Sequence, residues 1–380
     1  MTDMLLTEDE LLLRNTVRDF ADKVLAPRAS HHDQSGEFPW ENVRGLGDLG
    51  LYGLTVDERY GGSGGTMAQL AIAAEEVARG CAATSTIWLA HHSLGTKFIE
   101  RFGSEAQKHK YVPPLARAEK VAAFGLTEPG AGSDAAGIQT LAVRSDGRYL
   151  INGAKTFITN AAEAEVFVVM ATLDPAKRAK GICAFVVPRG APGLTVRPLH
   201  GKLGIRASST AELTFEDTPV SAEDRIGAEG EGFRAVMQLL DASRIGIGSQ
   251  AVGIAQMALE SAVSYVKKRQ AFGKRLAEME GIQFQLADLA TQVDAARLLV
   301  RRSALLCDAG RPFVPEAAMA KLYASRTAVQ AADRALQLHG GSGYFAPATP
   351  ERLYRDAKVT EIYEGTSEVQ RLIIARHLLE

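Results

Sequence analysis

The stretch Tyr149–Thr159, "YLINGAKTFIT", is followed by Glu165–Leu173, "EVFVVMATL", and Gly181–Pro188, "GICAFVVP". Each is a short run rich in β-branched and aromatic residues, bounded by Gly, Pro, Asn or Asp, which reads as a series of strands. "LTVRPL" from Leu194 and "AELTFEDTPV" from Ala211 continue the series. On both sides the period changes. Leu11, Leu12, Val17 and Phe20 share a helical face, continued by Ala21, Val24 and Leu25 up to Pro27, which is expected to stop the helix. Ala68–Ala78 and Leu89–Arg101 also read as helices. Beyond the strands, Phe233–Lys268, Ile282–Cys307 and Pro315–Leu338 carry apolar residues at helical spacing with short connections, as in an antiparallel bundle. Helices, then strands, then helices is not the alternation of a parallel α/β sheet. The sequence therefore predicts an α+β multidomain chain: a helical N-terminal domain over residues 1–120, a middle β-barrel or sheet domain over 121–228, and a C-terminal helical bundle over 229–380.

A length of 380 residues exceeds one ordinary core, in keeping with that division. A net charge of −2 with no block of like charges points away from nucleic acid and from a polybasic membrane patch. No apolar run reaches the roughly 20 residues a membrane span needs. Cys81, Cys183 and Cys307 are far apart and form no CxxC, which argues against a disulfide framework or zinc site. The adjacent pairs His31-His32 and His91-His92 lack the i,i+4 spacing of helical metal ligands, so no metal is expected. The opening "MTDMLLTEDE" carries a capping box, Thr7 with Glu10, and no leader pattern. A cytoplasmic protein is the expectation.

Four polar islands interrupt the pattern. "FGLTEPGAGSD" (Phe124–Asp134) cannot continue helix or strand, and its glycines permit close backbone approach to a phosphate. "KTFITNA" starts at Lys155, "RQAFGK" at Arg269, and "QLHGGSG" at Gln337. Singly, each has a plain reading as a turn, a strand end or a basic helix terminus. The glycines of the last follow a helical run rather than a strand, so a nicotinamide-binding Rossmann unit is not indicated.

A fifth stretch, "IYEGTSEVQR" (Ile362–Arg371), places a carboxylate, a glycine and two hydroxyls before an apolar helix. Ser367 with Gln370 reads as a capping box, predicting a helix from about Glu368. Unpaired N–H groups at such an end attract anions. Glu364 then projects from the turn toward the cleft between bundle and β-domain. A Glu beside a helix start is usually only a dipole partner, and Glu361 and Glu368 fit that description.

Taken in order, "LTEPGAGSD", "FITN", "RQAFGK", "LHGGSGY" and "YEGTSEVQR" resemble the acyl-CoA dehydrogenase family of flavoenzymes, over nearly the whole chain. The resemblance implies an N-terminal helical domain, a middle β-domain, a C-terminal four-helix bundle, noncovalent FAD and a homotetramer. It implies that Phe124, Leu126 and Thr127 meet the isoalloxazine and that Gly132 and Ser133 line the pyrophosphate. Phe157, Ile158 and Thr159 would wall the flavin. Arg269, Phe272, Gln337, Gly340 and Gly341 would reach the FAD of a neighbouring subunit, and Thr366 and Glu368 would close over its ADP part. Ser133, Asp241, Arg244 and Gly365 would contact the acyl-CoA. Two positions depart from many relatives: Phe157 stands where a Trp is frequent, and Glu280 where a Gln is.

In that family the carboxylate of a YEGTS-type motif is the base, a place held here by Glu364. Members with the base on the bundle helix carry it one residue before the arginine, where this chain has Ser243. The implied reaction is α,β-dehydrogenation of an acyl-CoA thioester to the trans-2-enoyl-CoA. Glu364 removes the Cα proton, a hydride passes from Cβ to flavin N5, and the Glu364 N–H polarises the carbonyl. Electron-transfer flavoprotein is the implied acceptor, and a short-to-medium acyl group the implied substrate. An acyl-CoA oxidase or a flavin monooxygenase on the same fold, or a non-enzymatic acyl-CoA-binding protein, are the alternatives. Oxidases usually carry an extra C-terminal domain, and the monooxygenases generally lack the YEGTS carboxylate.

Overall fold

A computed structural model describes residues 6–380. The chain begins with α1 (Glu8–Phe20), opened by the expected Thr7–Glu10 capping box. Pro27 does not stop it. A five-residue π turn at Ala21–Leu25 leads directly into α2 (Ala26–Ser35), whose first turn contains the proline. Then follow α3 (Trp40–Asp48), α4 (Met67–Gly80), α5 (Ala82–Leu89), a second π segment at Ala90–Thr96, α6 (Lys97–Phe102) and α7 (Glu105–Ala116).

The middle of the chain forms one eight-stranded sheet: β1 (Ala122–Gly125), β2 (Leu141–Ser145), β3 (Arg148–Thr159), β4 (Val166–Thr172), β5 (Ile182–Pro188), β6 (Leu194–Pro198), β7 (Thr210–Ser221) and β8 (Arg225–Ile226). The order is β6-β7-β3-β2-β4-β5-β8, with β1 parallel to β4. β4 is buried on both faces. Phe167, Val169 and Ala171 enter a core closed by Tyr149, Ile151, Leu213 and Phe215, while Val166, Val168 and Met170 face α7 and the start of the next helix. That double burial explains why "VFVVMA" shows no alternation. The β3–β7 ladder is broken by irregularities between Ile151 and Gly153 and between Lys155 and Ile158.

The C-terminal region contains α8 (Gly232–Lys268), α9 (Glu280–Asp308), α10 (Val314–His339), α11 (Gly341–Tyr344), α12 (Thr349–Ala357) and α13 (Ser367–Leu379). α8 alone has 37 residues. Small residues let these helices approach closely: Ala317, Ala320, Ala324, Ala328, Ala331 and Ala335 are fully buried on α10. At the crossing of α8 with α4, a Cβ on Gly253 would lie 2.2 Å from the Glu75 carbonyl, so only glycine fits. The bundle also caps the N-terminal region, because the Asp308 carboxylate accepts from the N–H groups of Met67 and Ala68 at 2.6 and 2.9 Å. Among the described residues no helix is long and apolar enough to cross a membrane.

Candidate active site

Glu364 sits in the turn between α12 and α13 with φ +52, a left-handed conformation that is costly for a residue with a Cβ. Gly365 follows at φ +95, where glycine is at ease. The cap differs from expectation. Thr366, not Ser367, is the N-cap, its hydroxyl accepting from the Val369 N–H at 3.4 Å. Gln370 instead reaches back to the turn, donating to the Gly365 carbonyl at 2.8 Å. Ser367 becomes the first helical residue, and its Oγ is buried without a partner. Thr366 has an extended ψ of 165°, typical of a cap rather than a helix.

Only part of Glu364 is exposed, and its Oε2 is shielded from solvent without a protein hydrogen bond. Its backbone N–H likewise meets no acceptor among the described residues. Burial pushes the carboxyl well above the ordinary carboxylate range, while the Ser243 hydroxyl, Lys321 and Arg244 pull it back. Ser243 and Arg244 come from α8. Arg244 is buried, with one guanidinium nitrogen 2.5 Å from Asp241 and its Nε unpartnered. Behind the base, Tyr363 donates its hydroxyl to Gln250, whose amide donates to Thr86 at 2.7 Å and to the Ala82 carbonyl at 3.1 Å. Leu89 is buried beside Gly246 on the same stretch of α8. Trp88 turns away into the N-terminal core, its indole N–H 2.9 Å from the Leu51 carbonyl.

The β-domain supplies a second surface. The turn Glu128–Ala131 is braced by a fully buried ion pair: Lys155 reaches Glu128 at 2.7 Å and the Leu126 carbonyl at 3.1 Å. Glu128 also accepts from the N–H groups of Gln139 and Thr140, at 2.6 and 2.9 Å. Thr127 is pinned to β3 by the Thr156 N–H, 2.9 Å from its carbonyl. Phe124 packs on Phe98 at 5.6 Å between ring centres, and Ile158 is buried. Phe157, by contrast, lies in the β3 irregularity at φ +59 with its ring 70% exposed. A Cβ on Gly132 would meet nothing, and Ser133 beside it is exposed. These features fit FAD: an open aromatic face for a flat ring, Thr159 two residues along and Thr127 held against the same strand, and an uncrowded glycine loop for a pyrophosphate.

Arg269, Phe272, Gln337, Gly340 and Gly341 are not brought to Glu364. α8 and α10 run in the same direction, and their C-terminal ends meet where His339 stacks on Tyr265 at 4.1 Å. With about 1.5 Å of rise per residue, α8 carries Arg269 roughly 38 Å from Arg244. All five are exposed there, Phe272 to 96%. Glu368 is also exposed and pairs with Arg371 at 2.9 Å. Glu280, at the start of α9, is exposed near the same far end. No group of His, Cys, Asp and Glu suited to a metal occurs among the described residues.

Two residues around the base, Gln250 and Lys321, escaped sequence reading, as did the role of Lys155 in bracing the β-domain turn. Lys321 is fully buried and donates to the carbonyls of Tyr363, at 2.7 Å, and Gly365. A signal existed, because Lys321 falls on the alanine face of α10, three and four residues from Ala324 and Ala317.

Family models match the chain in three consecutive pieces: acyl-CoA dehydrogenase N-terminal domain at residues 7–119, middle domain at 123–218 and C-terminal domain at 230–379. The short-chain specific acyl-CoA dehydrogenase of Clostridium acetobutylicum is 46% identical, over 98% of both chains. Butyryl-CoA dehydrogenase from Megasphaera elsdenii superposes with a TM-score of 0.96 at 42% identity, covering 99% of each chain. A chain in the structure of the electron transferring flavoprotein of Acidaminococcus fermentans gives 0.97 at 42% identity, again over 99% of each. With all three domains matched in order on a helix–sheet–helix fold, the chain belongs to the acyl-CoA dehydrogenase family of FAD-dependent oxidoreductases.

Proposed function

We propose that this protein converts a short-chain acyl-CoA to its trans-2-enoyl-CoA, with Glu364 as the base. The observation that carries the reading is the half-buried Glu364 carboxyl, its Oε2 shielded and unpartnered among the described residues, held on a left-handed turn. When bound, FAD would supply the acceptor for the hydride, which leaves Cβ with the C–H bonding pair. The chain's residues do the rest. Glu364 as carboxylate takes the Cα proton as the Cα–Cβ double bond forms. Its own N–H, which meets no acceptor among the described residues, donates to the thioester oxygen and favours the charge developing there. Arg244 with Asp241, Ser133 and Gly365 hold the CoA thioester. Phe124, Leu126, Thr127, Gly132, Ser133, Phe157, Ile158 and Thr159 hold the FAD, with Thr366 and Glu368 at its edge.

A short acyl group is supported by what fills the space behind the base. Leu89, Gln250 and Thr86 are buried there with Tyr363 half-buried against them, and a long tail would have to displace that hydrogen-bonded amide. The relatives named for short-chain and butyryl-CoA substrates agree with this. The distant, exposed set around Phe272 suits a homotetramer in which Arg269, Phe272, Gln337, Gly340 and Gly341 complete the FAD site of another protomer. Electron-transfer flavoprotein as acceptor rests on the likeness to the Acidaminococcus chain. Three unpaired cysteines suit a reducing cytoplasm.

The test is anaerobic titration of the holoenzyme with butyryl-, octanoyl- and palmitoyl-CoA, following flavin absorbance. Bleaching by butyryl-CoA that is lost in Glu364→Gln supports the reading. Retained bleaching in that variant removes Glu364 as the base, and absence of bleaching by any acyl-CoA overturns the dehydrogenase reading.

A further inference from the structure

Lys321 has no place in the chemistry so far, yet its surroundings are unusual. Ala317, Ala320, Ala324 and Ala328 form a fully buried stripe on α10, and Lys321 lies in it with 1% exposure. An ammonium removed from water needs acceptors. The two it takes are main-chain carbonyls, those of Tyr363 and Gly365. They bracket Glu364. The bracketed residue has the left-handed φ, and the next adds φ +95. Gln370 donates to the Gly365 carbonyl as well, so the turn is gripped from α10 and from α13.

We propose that Lys321 is the positioning residue of the base: its ammonium ties down the carbonyls on both sides of Glu364, fixes the turn that aims the carboxyl, and sets a positive charge beside it. The proposal rests on Glu364 being the base.

Several groups face this turn. α8 contributes Arg244, which is paired with Asp241, and the Ser243 hydroxyl. α10 contributes Lys321. Glu361, Tyr363 and Asp356 belong to the segment leading into the turn, and Tyr363 is neutral because burial holds its hydroxyl protonated. Arg244 already has a carboxylate 2.5 Å away. Among the described residues no carboxylate is bonded to Lys321, and its charge is answered across space by Glu364 and, to a smaller extent, by Glu361. Burial lowers the proton affinity of Lys321, and Glu364 opposes that. Burial raises the proton affinity of Glu364, and Lys321 opposes that. A lysine serving only to seal α10 against α13 would hold the fold but leave the titration of the base unmoved.

The experiment compares wild-type, Lys321→Met and Lys321→Gln holoenzymes. Hydrogen exchange of the peptide 363–370 is followed without substrate, and flavin reduction by butyryl-CoA is followed against pH. Lys321→Met, which loses both hydrogen bonds to the turn, is expected to exchange at least about tenfold faster there. Its acid limb should move up by about one pH unit or more, lowering the rate about tenfold on the acid side while KM changes little. Lys321→Gln keeps N–H donors but no charge. It should retain most of the protection and show the same shift. A Lys321→Met enzyme with full FAD content, native exchange and an unmoved acid limb overturns the proposal, as does one changed only in KM. Should Lys321→Met fail to assemble, Lys321→Gln decides the matter by its acid limb alone. If wild-type flavin is not reduced by any acyl-CoA, the assigned function fails, whereas the exchange data still test the clamp.

Discussion

Gly365→Ala puts the turn before α13 under a load that can be worked out from its geometry. At φ +95 an alanine costs about 1–2 kcal/mol relative to glycine. Its Cβ would also lie 2.8 Å from Gln370 Nε2, too close for any real contact. That atom ends a flexible side chain, so it can withdraw, but only by giving up its 2.8 Å bond to the Gly365 carbonyl. The lost bond adds about 0.5–1.5 kcal/mol. The sum is about 1.5–3.5 kcal/mol. Urea unfolding of the holoenzyme, followed by circular dichroism, measures it. Gln370→Ala alone forfeits the bond and no more. The double variant Gly365→Ala/Gln370→Ala should therefore be less damaged than the two singles added, by about 1 kcal/mol, because the shared bond is lost once. Strict additivity would refute the steric account. Stability of Gly365→Ala equal to wild type would refute the strain account as well.

Other substitutions probe other parts of the site. Glu364→Gln should reduce flavin bleaching by butyryl-CoA about 10²–10⁴-fold in rapid-mixing experiments. The same variant has a stability signature: since the folded-state pKa of Glu364 is raised, the wild type loses stability as pH climbs from the ordinary Glu value through the raised one. Glu364→Gln should thus gain on wild type in thermal unfolding at pH 8 relative to pH 5. Phe157→Ala should leave apoprotein stability within about 0.5 kcal/mol, because the ring is exposed, but weaken FAD binding by about 1–3 kcal/mol in a fluorescence titration. Lys155→Met strands Glu128 in the interior and should cost about 3–5 kcal/mol in denaturant unfolding, with FAD lost from the purified protein.

The helix–sheet–helix order was legible because each texture has its own period, and β4 could be read as a strand despite lacking alternation. What misled was local. Pro27 normally ends a helix, but here the chain passes through the π turn Ala21–Leu25, whose Ala21 and Leu25 are buried, and stays helical to Ser35. Thr366 and Ser367 are adjacent hydroxyls with equal claims to the cap, and only backbone geometry separates them. Glu364 was legible from its motif, whereas its desolvation was not, since the groups that bury and answer it come from α8 and α10. Lys321 shows the limit in reverse: a charged residue on an apolar face is visible in the sequence, but the carbonyls that justify it lie more than forty positions away.

The length of α8 has a genetic consequence. With chemistry at one end and Phe272 at the other, a protomer in the proposed tetramer finishes a neighbour's site rather than its own. Lesions at Glu364 and at Arg269 then fall in different sites when two defective alleles are expressed together. In a mixed assembly some sites draw an intact base from one product and an intact far end from the other. Two null alleles can restore each other, a pattern ordinarily taken as the mark of two separate genes.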